Sequence, residues 1–242
     1  MANVHKVADV HICADRTALF SKAAYLFVSL ANEAITARGR FCVALSGGST
    51  PRGVHACLAS DTYRNKVAWG NVQCFWGDER CVPPAHDDRD HCMADETLLS
   101  QVPIQQENVY RISAECDSVE AANQYEQTLR QAFTVHAGAQ PQFDLVFLDM
   151  EADGHTASLF PVIAALHDEA HSVAPNFVEK LAAWRVTLTA AVINNAAHII
   201  FLVGGEDKAA ALKAVLEDDR KPEQYPSQLI QPTHSDLQWL VD

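Results

Sequence analysis

Phe143-Asp144-Leu145-Val146-Phe147-Leu148-Asp149 is an apolar run broken only near its ends, and it leads directly into Met150-Glu151-Ala152-Asp153-Gly154-His155. A strand with one wet face alternates polar and apolar residues, so a near-continuous run belongs to a strand covered on both faces. Phe41 to Leu45, Val72 to Trp76 and His198 to Val203 have the same texture. Buried strands spaced by helical stretches predict an α/β fold of three layers, a mainly parallel sheet with helices on both faces.

The helices are read from spacing and punctuation. Arg16 to Ala37 carries Leu19, Ala23, Leu26, Phe27 and Leu30 at helical intervals, with Gly39 as a stop. Pro51 suits the first turn of a second helix, with Ser49 or Thr50 as its cap. Further helices are predicted around Arg89 to Leu99, Val119 to Phe133, Thr156 to His167, Asn176 to Ala183 and Asp207 to Leu216. No repeat, low-complexity tract or linker-like stretch divides the chain, so residues 1–242 are expected to form one domain.

Composition narrows the partners. The chain is 48% apolar and 20% charged, ordinary for a folded soluble protein. Its formal net charge of −13, with no basic stripe, disfavours nucleic acid and anionic membrane surfaces. A phosphate ligand would therefore need a few cations and backbone dipoles gathered at one point. Met1 to Lys6 lacks the basic-then-apolar pattern of a leader, and no run approaches the length of a membrane span, so a cytoplasmic protein is expected. Seven cysteines, at 13, 42, 57, 74, 81, 92 and 116, include no C-x-x-C pair and read as reduced, structural thiols.

Four stretches carry chemistry. Leu45-Ser46-Gly47-Gly48-Ser49-Thr50-Pro51 runs from a strand end through two glycines into a helix start, where N–H groups and the helix dipole converge on an anion; without a ligand the same pattern is simply a tight turn. It lacks the lysine of a nucleotide P-loop and the third glycine of a dinucleotide fingerprint. Cys74-Phe75-Trp76-Gly77-Asp78-Glu79-Arg80 ends a buried strand in two acids and an arginine, placed where parallel sheets bind ligands. Asp153-Gly154-His155 offers a histidine as general base near neutral pH, although a lone histidine at a helix start is more often a cap or a surface residue. Arg185 and Lys208, beside or after later strands, are candidate phosphate contacts that singly read as surface residues.

Taken in order, these stretches resemble the 6-phosphogluconolactonases, above all at Asp78-Glu79-Arg80-Cys81-Val82-Pro83-Pro84, Asp153 to Pro161, Arg185 to Thr189 and Leu229-Ile230-Gln231-Pro232-Thr233. The resemblance spans nearly the whole chain. It implies a Rossmann-like fold shared with glucosamine-6-phosphate deaminases and related to ribose-5-phosphate isomerases. It also implies hydrolysis of 6-phospho-D-glucono-1,5-lactone to 6-phosphogluconate, a step of the oxidative pentose phosphate pathway. His155 would activate the water and Asp78 would shape the pocket, while Arg80, Arg185 and Lys208, with Gly47, Gly48, Ser49 and Thr50, would hold the phosphate. No cofactor or metal is implied, and the resemblance leans toward a monomer. The deaminase branch matches less well, because it usually carries a tyrosine after Asp-Glu and a different run after Asp-Gly-His.

The chain departs from the family at two places. Glycines are usual where Asp149 and Glu151 stand, and a small polar pair followed by aromatic and basic residues is usual at Arg89-Asp90-His91-Cys92. If Asp149 and Glu151 face the pocket they repel a phosphate dianion, and if they replace glycines with positive φ they strain the backbone. A non-catalytic sugar-phosphate binder on the same fold is therefore the alternative, with a deaminase-like isomerase behind it. Cys81, His86, His91 and Cys92, or His167 with His171, match no standard zinc spacing, and no Gly-x-Ser-x-Gly elbow occurs.

Overall fold

The computed structural model describes residues 9–83, 86, 89–115, 117–136, 139–232, 234 and 236–242. Pro84, Cys116, Thr233 and the stretch Met1 to Lys6 lie outside them. Six strands form one parallel sheet: β1 (Asp9–Ile12), β2 (Phe41–Leu45), β3 (Val72–Trp76), β5 (Leu145–Asp149), β8 (His198–Val203) and β9 (Asp236–Val241), in the spatial order β1-β9-β8-β5-β2-β3. Every residue of β2 and β5 is buried. Because successive side chains point to opposite faces, both faces of the sheet are covered, as the continuous runs predicted.

The long first helix, α1 (Arg16–Arg38), starts where Asp15 Oδ1 accepts from Ala18 N at 2.8 Å, and it stops at Gly39 with φ 75°. Its Phe27 enters an aromatic cluster with Phe41, Trp69 and Phe147. α2 (Ser49–Ala59), α3 (Asp90–Thr97), α4 (Ser118–Ala132), α5 (Ala190–Asn194) and α6 (Ala209–Leu216) complete the helices. The second helix is capped by the Gly48 backbone rather than by a Ser49 or Thr50 side chain, which corrects the expectation; both lie inside its first turn. Among the described residues no helix is long and apolar enough to cross a membrane. Burial pushes the Cys42 and Cys74 thiols up to about 12, which keeps them protonated and inert.

A second, antiparallel sheet, in the order β4-β7-β6, is built from β4 (Asp78–Arg80), β7 (Ala183–Leu188) and β6 (Val173–Val178). It overturns the helix predicted over Asn176 to Ala183: Val173–Val178 pairs with β7, and Ala182 makes the connecting turn at φ 47°. The helix predicted over Thr156 to His167 is also absent. Ala157 and Val162 lie at φ 48° and 62°, Pro161 has no N–H to give, and only Ala164–His167 forms a short 3₁₀ turn. The chain crosses between the sheets at Gly77, whose N–H reaches Leu45 O at 2.9 Å while its carbonyl accepts from Leu188 N at 2.7 Å. Tyr125 of α4 secures that crossing, accepting from Trp76 N at 2.9 Å and donating to Trp76 O at 3.1 Å.

Candidate active site

In the parallel sheet β2 is followed by β3 on one side, whereas its other neighbour, β5, is followed by β8 on the far side. Loops leaving the carboxyl ends of β2 and β5 thus diverge and open a crevice between them. Ser46-Gly47-Gly48 leaves β2 here and Asp149 to His155 leaves β5. The ends are tied together where Asp149 N donates to Ser46 Oγ at 3.3 Å. The crevice is lined by His155, Asp78, Arg80 and Arg185, with Asp90, Asp149 and Glu151 among the other lining residues.

His155 is held from two sides. Its Nδ1 lies 2.5 Å from Asp153 Oδ1, and its ring stacks on Phe160 with centroids 3.8 Å apart. Lys180, on the turn between β6 and β7, pairs with the other oxygen of Asp153. Burial pushes the Asp153 carboxyl up, but the hydrogen bonds from His155 and Lys180 outweigh it and hold it well below the usual carboxylate range. An ionised Asp153 accepting from Nδ1–H leaves Nε2 as the proton acceptor of the ring.

Asp78 is buried, accepts from Ser158 Oγ at 2.5 Å, and lies 3.8 Å from Arg185 Nη1. Ser158 is thus a support for Asp78. Arg80 and Arg185 are register partners across β4 and β7. Arg80 Nη1 is 3.9 Å from Asp90 Oδ1, and the Arg185 guanidinium lies over the Phe160 ring at 5.4 Å. The same ring therefore packs against His155 and Arg185. Glu79, by contrast, is turned away: it accepts the Asp90 and His91 N–H groups at 3.0 Å each, capping α3.

The glycine turn is as narrow as predicted, but its neighbours are carboxylates. A Cβ on Gly47 would lie 1.8 Å from Asp90 Oδ1 and would have to push that carboxylate aside, and one on Gly48 would lie 2.6 Å from Asp149 Oδ2 at φ +100°, a conformation that favours glycine. Asp149 Oδ1 takes Lys208 Nζ at 2.9 Å, and Glu151 Oε2 stands 3.8 Å from the same ammonium. Burial pushes the Asp149 carboxyl up to about 6, against the opposing pull of Lys208. Burial likewise raises Asp90, with the Asp78 charge adding to it. Neither Asp149 nor Glu151 has positive φ, so they impose no left-handed strain.

Known proteins share this sequence pattern and fold. A family model for glucosamine-6-phosphate isomerases/6-phosphogluconolactonase matches residues 14–239. The chain belongs to the glucosamine-6-phosphate isomerase/6-phosphogluconolactonase family. Within that family it is 37% identical to a 6-phosphogluconolactonase from a Nostoc species, covering 96% of this chain and 95% of that protein. It is 39% identical to the human 6-phosphogluconolactonase over 85% of this chain and 80% of the human one. The solved structure of 6-phosphogluconolactonase from Trypanosoma cruzi superposes with a TM-score of 0.85 at 26% identity, covering 97% of this chain and 96% of that one.

In this member of the family the crevice brings together His155, Asp78, Arg80, Arg185, Gly47 and Gly48 of the residues proposed from the sequence; Lys208 is joined to it through Asp149, and Ser49 and Thr50, in the first turn of α2, are not among its lining residues. Sequence reasoning missed Phe160 and Lys180 as supports of the base, and Asp90 as the neighbour of Gly47. Lys180 had no signal, because its hairpin was read as helix. Among the described residues no group of three or more His, Cys, Asp or Glu side chains could hold a metal ion.

Proposed function

We propose that this chain hydrolyses 6-phospho-D-glucono-1,5-lactone to 6-phosphogluconate. The observation that carries the reading is the shared packing of His155 and Arg185 on Phe160, which sets a base and a cation around one small crevice. The homologues named 6-phosphogluconolactonase support the reaction class.

His155 Nε2 accepts a proton from water as its oxygen attacks the lactone carbonyl carbon; Asp153 holds the ring in the required tautomer and steadies the imidazolium. The bond from the carbonyl carbon to the ring oxygen then breaks, and the imidazolium returns the proton to that leaving oxygen. Arg80 and Arg185 hold the phosphate, and Asp78, braced by Ser158, keeps Arg185 in place. A lactone is already activated, so positioning one water and one base suffices.

The test is base uptake at constant pH with freshly made lactone, at a pH where spontaneous opening is slow. A rate that scales with protein concentration is expected; a rate equal to buffer would leave a sugar-phosphate binder, the reading that Asp149 in the crevice favours.

A further inference from the structure

We propose that Asp149 is a built-in occupant of the anion site, its carboxylate standing between Gly48 and Lys208 where a ligand phosphate would bind. The inference rests on the reading that this crevice takes a phosphorylated ligand, and it adds what sets the affinity.

Three observations carry it. First, Asp149 Oδ2 is directed at the Gly48 turn and has no hydrogen-bond partner among the described residues, although the residue is only 7% exposed. A buried, unpaired acceptor at the start of an eleven-residue helix is in the place where backbone N–H groups and the helix dipole favour an anion. Second, its other oxygen holds Lys208 Nζ at 2.9 Å, and Lys208 is itself 5% exposed. Carboxylate and phosphate oxygens want the same donors, so one position cannot serve both. Third, Arg185 meets Asp78 at 3.8 Å, much looser than the Lys208 pair. A phosphate can therefore reach the arginine side, but it gains the glycine turn and Lys208 only by displacing Asp149. With its ends tied by Ser46 Oγ and Thr156 Oγ1, the strand end holds this carboxylate in place rather than letting it swing away.

Asp149→Asn keeps the shape and removes the charge. Calorimetric titration with inorganic phosphate, and separately with 6-phosphogluconate, is expected to show at least tenfold tighter binding for D149N than for wild type. The gain should vanish in the D149N/K208A double variant. In turnover, the KM for the phosphorylated lactone should fall while that for unphosphorylated glucono-1,5-lactone stays put. D149G, which removes the side chain altogether, serves the same comparison if the amide variant does not fold. A folded variant that binds phosphate no tighter than wild type, or more weakly, overturns the proposal; weaker binding would make Asp149 a support for Lys208 instead. Phosphate titration needs no turnover, so absent hydrolysis would count against the proposed reaction alone, and unchanged phosphate affinity beside normal hydrolysis would count against this inference alone.

Discussion

Arg80 and Arg185 stand directly opposite each other where β4 pairs with β7. Like charges at such positions cost roughly 0.2–1 kcal/mol, and here they occur in a chain of net charge −13. Asp78 answers Arg185 at 3.8 Å, and Arg185 Nε has no hydrogen-bond partner among the described residues. Asp90 lies 3.9 Å from Arg80. Two cations brought together in this way can take an anion between them.

Replacing Arg185 or Arg80 with alanine should therefore act on binding. Each loss of a charged hydrogen-bond partner is worth about 1.5–3 kcal/mol, so KM for the phosphorylated lactone should rise roughly tenfold to a hundredfold. Steady-state kinetics with phosphorylated and unphosphorylated lactones would check this. Equal effects on both substrates would remove the pair from phosphate binding.

The parallel sheet was legible because buried strands write themselves as apolar runs, and the site was legible because glycines, acids and His155 follow those runs. The second sheet was not. Val173–Val178 contains Pro175 and Asn176, has a mixed burial pattern, and becomes a strand only through pairing with β7, a tertiary effect that no local window carries. The loop after His155 has helical composition but is bent by Ala157, Pro161 and Val162. β1 escaped notice because it is short and mostly exposed, and β9 because only its second half is buried. The pairing of Asp149 with Lys208 joins residues far apart in sequence, and so was visible only as an unexplained acid.

Asp153→Asn tests the orientation of the base. The amide can donate to Nδ1 and favour the wrong tautomer, so kcat should drop by about a hundredfold or more with little change in KM. Rapid-mixing measurement of kcat and KM separately would decide it; a proportionate rise in KM alone would assign Asp153 to substrate binding.

Tyr125→Phe probes the crossing between the sheets. It removes the acceptor of the buried Trp76 N–H and the donor to Trp76 O. A cost of about 1–3 kcal/mol is expected, lowering Tm by several degrees. An unchanged thermal transition would show that the hydroxyl contributes nothing.

His55 sets an acid limit on stability. It is buried in α2, neither ring nitrogen has a hydrogen-bond partner among the described residues, and burial lowers it from 6.5 to about 4. The neutral ring is favoured in the folded state, so this contribution is complete above pH 6.5 and is lost as pH falls toward 4. The difference amounts to about 3 kcal/mol. His55→Leu should flatten the pH dependence of urea midpoints over that window; a slope equal to that of wild type would contradict the account.

The central claim is that His155 takes the proton from the attacking water, and the rate of lactone opening by His155→Ala tests it most directly. At constant pH and saturating lactone, kcat should fall by at least about a hundredfold while the affinity for 6-phosphogluconate stays within a few-fold of wild type. A folded H155A variant that opens the lactone at a near-normal rate would contradict it.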